Sequence, residues 1–256
     1  MFERIFKKAE EISKVINVSD SKFEELRHNL GLTFKAPQLT KDLAASMIDH
    51  TNLSFHATDS DIEKVCMAAY KYNFTAVCVN PFWVKYADEI RKDFNASYKI
   101  ASVIDFPLGA STLESRVKEA EQALKDGADE IDLVISLGLI RSNRISDAYN
   151  LIKSVVDTGG YQKIILEMSE LDAEEKITAA LLAFFAGAHM LKTSTGINGK
   201  ATEPDVKLLR AIAGNTLGVK AAGGIRYKVS FFSMVSAGAD RIGCSSSVKI
   251  MESWDD

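Results

Sequence analysis

The sequence predicts an α/β protein of the TIM (β/α)8 barrel class with an extra helical segment at its N-terminus. First, eight short apolar runs of strand length alternate with helical patterns along the chain. Second, a Gly-Ala phrase closes a helical pattern and begins an apolar run at Gly127, Gly187 and Gly238. These glycines are 60 and 51 residues apart, about two βα units each time. Third, a chain of 256 residues that is 46% hydrophobic suits one barrel without a second domain.

The expected elements begin with a helical extension over residues 1–40, followed by the barrel domain over residues 41–256. The first 18 residues place apolar side chains at helical spacing but also contain Glu3, Glu10 and Glu11. Secretory and transit peptides avoid such acids, so we expect a helix that docks on the domain. The eight strands are expected near Met47–Leu53, Phe74–Val79, Lys99–Ile104, Glu130–Ile135, Lys163–Met168, Met190–Thr193, Leu217–Ala221 and Arg241–Gly243.

Continuous apolar character in the fourth and fifth runs favours parallel strands that are buried on both faces. The intervening helices are amphipathic, and one has an expected apolar face of Leu113, Val117, Ala120 and Leu124. The same alternation of strands and helices would also build an open, doubly wound sheet, which is the main alternative fold.

Composition excludes several classes of partner. A net charge of −4 with scattered lysines and arginines gives no basic footprint for nucleic acid. No apolar run approaches the length of roughly 20 residues that a membrane helix needs. The three cysteines, Cys66, Cys78 and Cys244, are odd in number and unpaired in spacing, as expected of a cytoplasmic protein. The four scattered histidines form no metal-ligand cluster, and the charge pattern leads us to expect a small-molecule partner.

Polar side chains collect where several predicted strands end, which is where barrel enzymes place their reactive groups. They are Asp49 and Thr51 on the first strand, Cys78 on the second, Asp132 on the fourth, Lys163 and Glu167 on the fifth, Lys192 on the sixth and Lys220 on the seventh. Neighbouring strands are about 4.8 Å apart, so Lys192 and Lys220 can approach each other. Repulsion and burial both favour a neutral amine, which is a nucleophile toward carbonyl groups.

Structural roles compete with these chemical ones. Either lysine could pair with Asp132 or Glu167, and Asp132 could relay protons through water or serve as an ion-pair or helix-cap residue. Lys163 and Glu167 are expected to pair with each other. Of the neighbours Asp49 and His50, only one can face the barrel centre, and the sequence favours Asp49. Cys78 is expected to be a small buried filler.

A phosphate site is predicted after the last two strands. Gly223 and Gly224 permit close approach of backbone amides, and Ser245 and Ser246 add hydroxyl donors. The segment Thr193–Gly196 either reaches substrate hydroxyls or caps the following helix.

Taken together, these segments resemble the deoxyribose-phosphate aldolase family over roughly residues 42–250. The resemblance is carried by Ile48-Asp-His-Thr51, Phe106-Pro-Leu-Gly109, Asp126-Gly-Ala-Asp-Glu-Ile-Asp132, Lys192-Thr-Ser-Thr-Gly196, Lys220-Ala-Ala-Gly-Gly-Ile-Arg226 and Arg241-Ile-Gly-Cys-Ser-Ser246. Six segments in the same order make it specific.

The resemblance implies that Lys192 forms the Schiff base, Lys220 depresses its pKa and Asp132 relays protons. It also implies substrate or phosphate contacts at Asp49, Cys78, Thr195, Gly223, Gly224, Ser245 and Ser246, and a further active-site lysine at Lys163. No cofactor is implied. Three residues depart from the family pattern: Asp105 replaces a usual glycine, Ser136 a frequent asparagine, and Ile197 a frequent Phe or Lys. Lys200 could replace a basic residue that holds phosphate.

The expected activity is reversible cleavage of 2-deoxy-D-ribose 5-phosphate to D-glyceraldehyde 3-phosphate and acetaldehyde. The alternatives are another Schiff-base phosphosugar aldolase or transaldolase, a phosphosugar-binding barrel without catalysis, and a metal-dependent barrel enzyme. A homo-oligomer, either a dimer or a tetramer, is compatible with the sequence.

Overall fold

The computed structural model describes residues 1–255 and arranges eight parallel strands as a closed barrel. The strands are β1 Ile48–Asn52, β2 Ala76–Val79, β3 Lys99–Ile104, β4 Glu130–Val134, β5 Tyr161–Ile165, β6 Met190–Lys192, β7 Gly218–Ala222 and β8 Arg241–Cys244. Each strand pairs with its neighbours along the chain, and β8 pairs with β1 to close the sheet. The predicted barrel is therefore confirmed, and the open-sheet alternative is wrong.

Helices surround the barrel and precede its first strand. They are α1 Phe2–Ser13, α2 Asp20–Leu30, α3 Lys41–Ala45, α4 Asp59–Tyr72, α5 Val84–Asp93, α6 Leu113–Lys125, α7 Leu137–Arg141, α8 Ile145–Val156, α9 Ala173–Ala186, α10 Glu203–Ala213, α11 Lys228–Ala237 and α12 Ser247–Glu252. The repeated glycines Gly127, Gly187 and Gly238 all have positive φ just beyond α6, α9 and α11. The phrase marks the end of a helix, as the sequence predicts.

Predicted and observed strands agree within two residues at each end, except at β5. This strand is Tyr161–Ile165 rather than Lys163–Met168. Its first three residues, Tyr161, Gln162 and Lys163, are polar, so hydrophobicity gave no sign of the strand start. The strand ends early because Glu167 turns into the left-handed region with φ 49°. Lys163 therefore lies in the middle of the strand, and Glu167 lies in the loop beyond it.

The buried face of α6 includes most of the expected one, since Ala120 is buried and Val117 and Leu124 pack partly buried against the core, but it also includes an arginine. Arg116, Ala120 and Ala123 are buried, whereas Leu113 is 40% exposed. The helix is rotated so that an arginine points into the protein, where it makes the contacts described below. The apolar pattern in the sequence did not reveal Arg116, because charged residues are not expected on the buried face of a helix.

The N-terminal helices lie on the outer layer of the barrel. Ile5, Ala9 and Ile12 form the buried face of α1, which packs on α9, while α2 packs on α10. The side-chain amide of Asn29 donates to the carbonyls of Ile212 (3.1 Å) and Ala213 (3.0 Å), at the C-terminal end of α10. The docking predicted for the first helix is present. Within residues 1–255, no helix is both long and apolar enough to span a membrane.

Candidate active site

Seven charged side chains meet inside the barrel, and we call them the central charge cluster. They are the acids Asp49, Glu130 and Asp132 and the cations Lys163, Lys192, Lys220 and Arg241. All but the part-buried Arg241 are buried. They lie on β1, β4, β5, β6, β7 and β8 and alternate with residues that face the outer helices. Such a cluster is stable only if the charges satisfy one another.

Asp132 binds three lysines at once. Its Oδ2 accepts hydrogen bonds from Lys192 Nζ at 2.6 Å and Lys220 Nζ at 2.8 Å. Its Oδ1 accepts from Lys163 Nζ at 2.6 Å. Lys192 and Lys220 are register partners on β6 and β7, which explains why both reach the same oxygen. The two lysines therefore pair with Asp132 rather than with Glu167.

A second layer of the cluster lies toward the N-terminal ends of the strands. Lys220 Nζ is 2.5 Å from Asp49 Oδ2, and Arg241 Nε donates to Asp49 Oδ1 at 2.8 Å. Glu130 Oε2 lies 2.6 Å from Lys163 Nζ and 3.2 Å from Arg241 Nη2. Asp49 and Glu130 thus connect Lys163 and Lys220 to Arg241, whereas Lys192 joins the cluster through Asp132.

The cluster contains four cations and three acids, so one cation lacks an acid of its own. Burial lowers the pKa of Lys192, and the charge of Lys220 lowers it further, against the opposing effect of Asp132. Burial also opposes the charges on Lys220 and Lys163, but Asp132 and Asp49 outweigh it and raise both pKa values. Burial likewise opposes the charge of Asp132, yet the three lysines hold its pKa well below the usual range. Lys192 is the lysine that most readily becomes neutral.

A cavity of about 460 Å³ opens above this cluster at the C-terminal ends of β1, β6, β7 and β8. Lys192 is the member of the cluster that lines it, and its side chain is 3% exposed. The other predicted site residues in the wall are Thr51, Thr195, Gly223, Gly224 and Ser245. The wall also contains Phe55, Phe106, Ile197, Ile225 and Arg226, to which the sequence analysis gave no part in the site. A neutral amine in the wall of this cavity can react with a carbonyl group that enters it.

The loops after β6 and β7 touch backbone to backbone beside the cavity. A Cβ on Gly223 would lie 2.7 Å from the carbonyl oxygen of Gly199, and Gly223 has φ +105°. Thr193 Oγ1 donates to the Ala222 carbonyl and accepts from the Ala222 amide, at 3.1 and 3.0 Å. The stem of Lys200 lies over Gly224. Only glycine fits this contact, which leaves nearby amides close to the cavity.

The segment after Lys192 does not cap the next helix. Helix α10 is capped by Thr202, whose side chain accepts from the Asp205 amide. Thr195 instead lines the cavity, and its amide donates to Glu167 Oε2 at 3.2 Å. Of the two roles that the sequence left open for residues 193–196, the capping role is wrong.

Six predicted site residues do not line the cavity: Asp132 and Lys220, whose contacts are given above, and Asp49, Lys163, Cys78 and Ser246. Asp49 and Lys163 lie beneath it in the central charge cluster. Cys78 packs with Ala101 and Val103 inside the barrel, and burial raises the pKa of its thiol. Ser246 precedes α12 directly, next to the cavity residue Ser245. The buried-filler interpretation of Cys78 agrees with this environment.

Two expectations from the sequence, the inward position of Asp49 and the pair Lys163–Glu167, have different outcomes. Asp49 faces the barrel centre, whereas His50 faces outward, with Nδ1 3.0 Å from Ser247 Oγ. Burial lowers the pKa of His50 to about 4. The expected Lys163–Glu167 pair is wrong: Lys163 binds Asp49, Glu130 and Asp132, while Glu167 accepts from the Thr195 amide. Because β5 ends at Ile165, Glu167 lies in the loop beyond the strand and does not contact Lys163.

Sequence reasoning missed Glu130 and Arg241 as members of the cluster. A signal for Glu130 existed, since Glu130 and Asp132 alternate on one buried strand and must face the same side. Arg241 is the first residue of β8. Its side chain faces inward toward Asp49 because β8 pairs with β1, a pairing that no local sequence pattern indicates.

Two of the three departures from the family pattern meet at one buried arginine, and we call Arg116, Asp105 and Ser136 the Arg116 cluster. Arg116 Nη2 lies 2.8 Å from Asp105 Oδ2 and 2.6 Å from Ser136 Oγ, and it also donates to the Gly109 carbonyl at 2.8 Å. Ser136 donates to the same carbonyl at 2.8 Å. The cluster fastens the β3–α6 loop, which carries the cavity residue Phe106.

Comparison with known proteins identifies the family to which this barrel and lysine arrangement belong. The model of the DeoC/LacD family aldolases matches residues 43–246. The chain belongs to the DeoC/LacD aldolase family. It is therefore an enzyme of the aldolase type, and the family resemblance seen in the sequence is confirmed.

Relatives of this aldolase share most of its length. It is 48% identical over 223 residues to a protein of Thermococcus kodakarensis named deoxyribose-phosphate aldolase, covering 85% of this chain and 100% of the relative. It is 43% identical to one of the same name from Caldicellulosiruptor saccharolyticus, covering 83% and 99% of the two chains. A crystal structure assigned to the same activity in Coccidioides immitis superposes with a TM-score of 0.85 at 34% identity, covering 97% and 98%.

Proposed function

We propose that this aldolase reversibly cleaves 2-deoxy-D-ribose 5-phosphate to D-glyceraldehyde 3-phosphate and acetaldehyde through a Schiff base on Lys192. The observation that carries the proposal is the position of Lys192: it is the cluster lysine at the cavity wall and the one whose pKa is lowered. The names of relatives at 43 to 48% identity supply the substrate.

The reaction begins with the neutral Lys192 amine adding to the C1 aldehyde of the open-chain sugar. The proton that the nitrogen loses passes to Asp132, which lies 2.6 Å from Nζ, either directly or through water. The oxygen of the adduct takes that proton back from Asp132 and a second one from solvent, and its departure as water leaves an iminium ion. Lys220 and Lys163 remain charged because the acids raise their pKa values, so they do not compete as nucleophiles.

The iminium nitrogen then acts as an electron sink. Removal of the proton from the C3 hydroxyl breaks the bond between C2 and C3, and the electron pair moves toward nitrogen. Glyceraldehyde 3-phosphate leaves, and the enamine that remains is protonated at carbon and hydrolysed to acetaldehyde. Asp132 is the proposed carrier of these protons, since each lysine that binds it helps to keep it ionised between steps.

The phosphate is proposed to bind at the glycine and serine loops, where Gly223, Gly224 and Ser245 line the cavity and Ser246 follows. Backbone amides and hydroxyl groups are suitable donors for phosphate oxygens. Arg226 in the wall, with Lys200 over Gly224, would add positive charge.

Thr51 and Thr195 are proposed to contact sugar hydroxyls. Asp49, Cys78 and Lys163 would shape the site from beneath it rather than touch the substrate.

The test is deoxyribose-phosphate cleavage by the wild type, Lys192→Ala and the surface control Lys207→Ala. Activity should fall at least about 10⁴-fold in the first variant, as when a covalent nucleophile is removed, and should be retained in the control. Borohydride reduction in the presence of acetaldehyde should label Lys192 in the wild type. Turnover by an enzyme with an unlabelled Lys192 would overturn the mechanism, and faster cleavage of another phosphosugar would overturn the substrate.

Three further assignments belong to this proposal. Residues 1–40 form an extension of the barrel domain at residues 41–256 rather than a separately folding domain, which the contacts of α1 and α2 support. The chain forms a dimer or tetramer; a deoxyribose phosphate aldolase from Aeropyrum pernix, 34% identical with a TM-score of 0.79, is tetrameric. The protein is cytoplasmic, which its three buried free cysteines support. Light scattering would measure the oligomer.

A further inference from the structure

The foot of the central charge cluster is formed by Arg241 and Glu130, two residues far from the substrate cavity. Neither lines the cavity that Lys192 faces. Arg241 instead lines a different cavity, of about 610 Å³, near the N-terminal ends of β5 to β8. The ionic cluster therefore spans the barrel interior from one cavity to the other, with Lys192 at one end and Arg241 at the other.

A continuous series of ion pairs joins the two ends. Arg241 and Lys220 share Asp49, and Lys220 and Lys192 share Asp132. Glu130 forms a second branch, since it binds both Arg241 and Lys163, and Lys163 binds Asp132 at 2.6 Å. Because these groups are buried, water does not screen them as it screens surface charges, and a change at the foot reaches Lys192.

We propose that Arg241 and Glu130 are positioning residues that set the charge state of Lys192 from the far end of the barrel. The physical basis is the excess of one cation in the cluster. If Arg241 were absent, four cations would become three, and all could be matched by the three acids. If Glu130 were absent, the excess of positive charge would grow. The two members of one ion pair therefore act on Lys192 in opposite directions.

The other ionisable groups inside the barrel do not change the direction in which Arg241 and Glu130 shift the pKa of Lys192. The ionisable groups facing or bordering the barrel interior are Asp49 on β1, Cys78 on β2, Asp132 on β4, Tyr161 and Lys163 on β5, Lys220 on β7, and Asp240 just before β8. The cavity that Arg241 lines also has Lys22, Glu25, His189 and Arg210 in its wall, and none of these four pairs with a member of the cluster. Strand β3 contributes the apolar Ala101 and Val103. Burial raises the pKa values of Cys78 and Tyr161, so both stay neutral near neutral pH. Asp240 is paired with Arg210 and belongs to neither branch.

The inference rests on the proposed function and predicts pH profiles that move in opposite directions. A unit charge about 10 Å away at an effective dielectric of about 20 changes a pKa by about 1. Arg241→Met should move the acidic limb of the kcat/KM profile, and of borohydride trapping at Lys192, up by about one pH unit. Glu130→Gln should move both down by a similar amount. The double variant should return the limb close to its wild-type position.

Arg241→Lys is the matched control, because it keeps the charge and loses the shape of the guanidinium group. It should keep the wild-type pH profile even if it unfolds at a lower temperature. Should Arg241→Met fail to fold, Arg241→Gln takes its place. Movement of the limb in the same direction in both single variants, or no movement in either, would overturn the inference. An unlabelled Lys192 in the wild type would instead overturn the proposed function.

Discussion

The central charge cluster and the Arg116 cluster are both buried and ionic, yet their charges are matched differently. In the first, four cations share three acids, and burial leaves Lys192 with a lowered pKa. In the second, one arginine faces one aspartate, and its remaining contacts are to the Ser136 hydroxyl and to backbone carbonyls. A buried cation in excess is ready to lose its proton, whereas a matched one holds its surroundings in place.

The central charge cluster can take part in proton transfer, whereas the Arg116 cluster only holds a loop in position. Burial also lowers the pKa of Arg116, with Asp105 opposing this effect, but a guanidinium group remains protonated in proteins. The Arg116 cluster can therefore position Phe106 at the cavity wall without taking part in proton transfer. Substitutions in the two clusters should accordingly change different measurements.

The largest difference is expected between Asp132→Asn and Asp105→Asn. The first removes the carboxylate proposed to carry protons and should lower kcat by about 10²- to 10⁴-fold. The second keeps a polar side chain of similar size in the loop and should change kcat only a few-fold. Steady-state kinetics, with thermal unfolding measured in parallel, provide the test. A comparable loss of kcat in both folded variants would remove the distinction between the clusters.

A smaller effect is expected from Lys220→Met, which should raise the pKa of Lys192 and lower activity near neutral pH. Removing this charge frees Asp132 and Asp49 to stabilise a protonated Lys192, so the pKa of Lys192 rises. Because the neutral amine is the nucleophile, the acidic limb of kcat/KM moves to higher pH. Activity near neutral pH should fall by about tenfold for each pH unit that the limb moves. Arg116→Met is the control; an unchanged profile in Lys220→Met, or an equal change in both variants, would contradict the pairing of the two lysines.

The contrast between the clusters also shows what the sequence could reveal. Lys192 and Lys220 were predictable as buried strand residues because each follows an apolar run shortly before glycines, although only Lys192 ends its strand and Lys220 lies in the middle of β7. Asp132 was predictable because it is an acid between apolar neighbours inside a buried strand. The sequence also predicted eight strands, since each is bounded by a helix with its own apolar spacing.

The remaining features depend on contacts across the closed barrel. Arg241 on β8 meets Glu130 on β4, and no local pattern relates two strands so far apart in the chain. Arg116 was hidden because it occupies the buried face of an amphipathic helix, where sequence patterns predict apolar residues. Glu167 was misplaced because the strand before it starts with residues that are polar yet buried.

The smallest expected effect is that of Asp105→Gly on the free energy of unfolding, which distinguishes backbone strain at Asp105 from its ion pair with Arg116. Asp105 has φ 53°, a conformation that favours glycine by up to about 1 kcal/mol, and its carboxylate pairs with Arg116. Asp105→Gly alone should be destabilising by about 2 kcal/mol, since losing the partner of a buried charge costs about 3 kcal/mol. In an Arg116→Met background, where the pair is already lost, the same change should stabilise the protein by up to about 1 kcal/mol, less the contribution of the Ser111 amide that donates to the Asp105 carboxylate at 3.2 Å. Urea unfolding of the four proteins tests this reversal of sign. Equal effects of Asp105→Gly in both backgrounds would mean that the aspartate is not retained for its arginine partner.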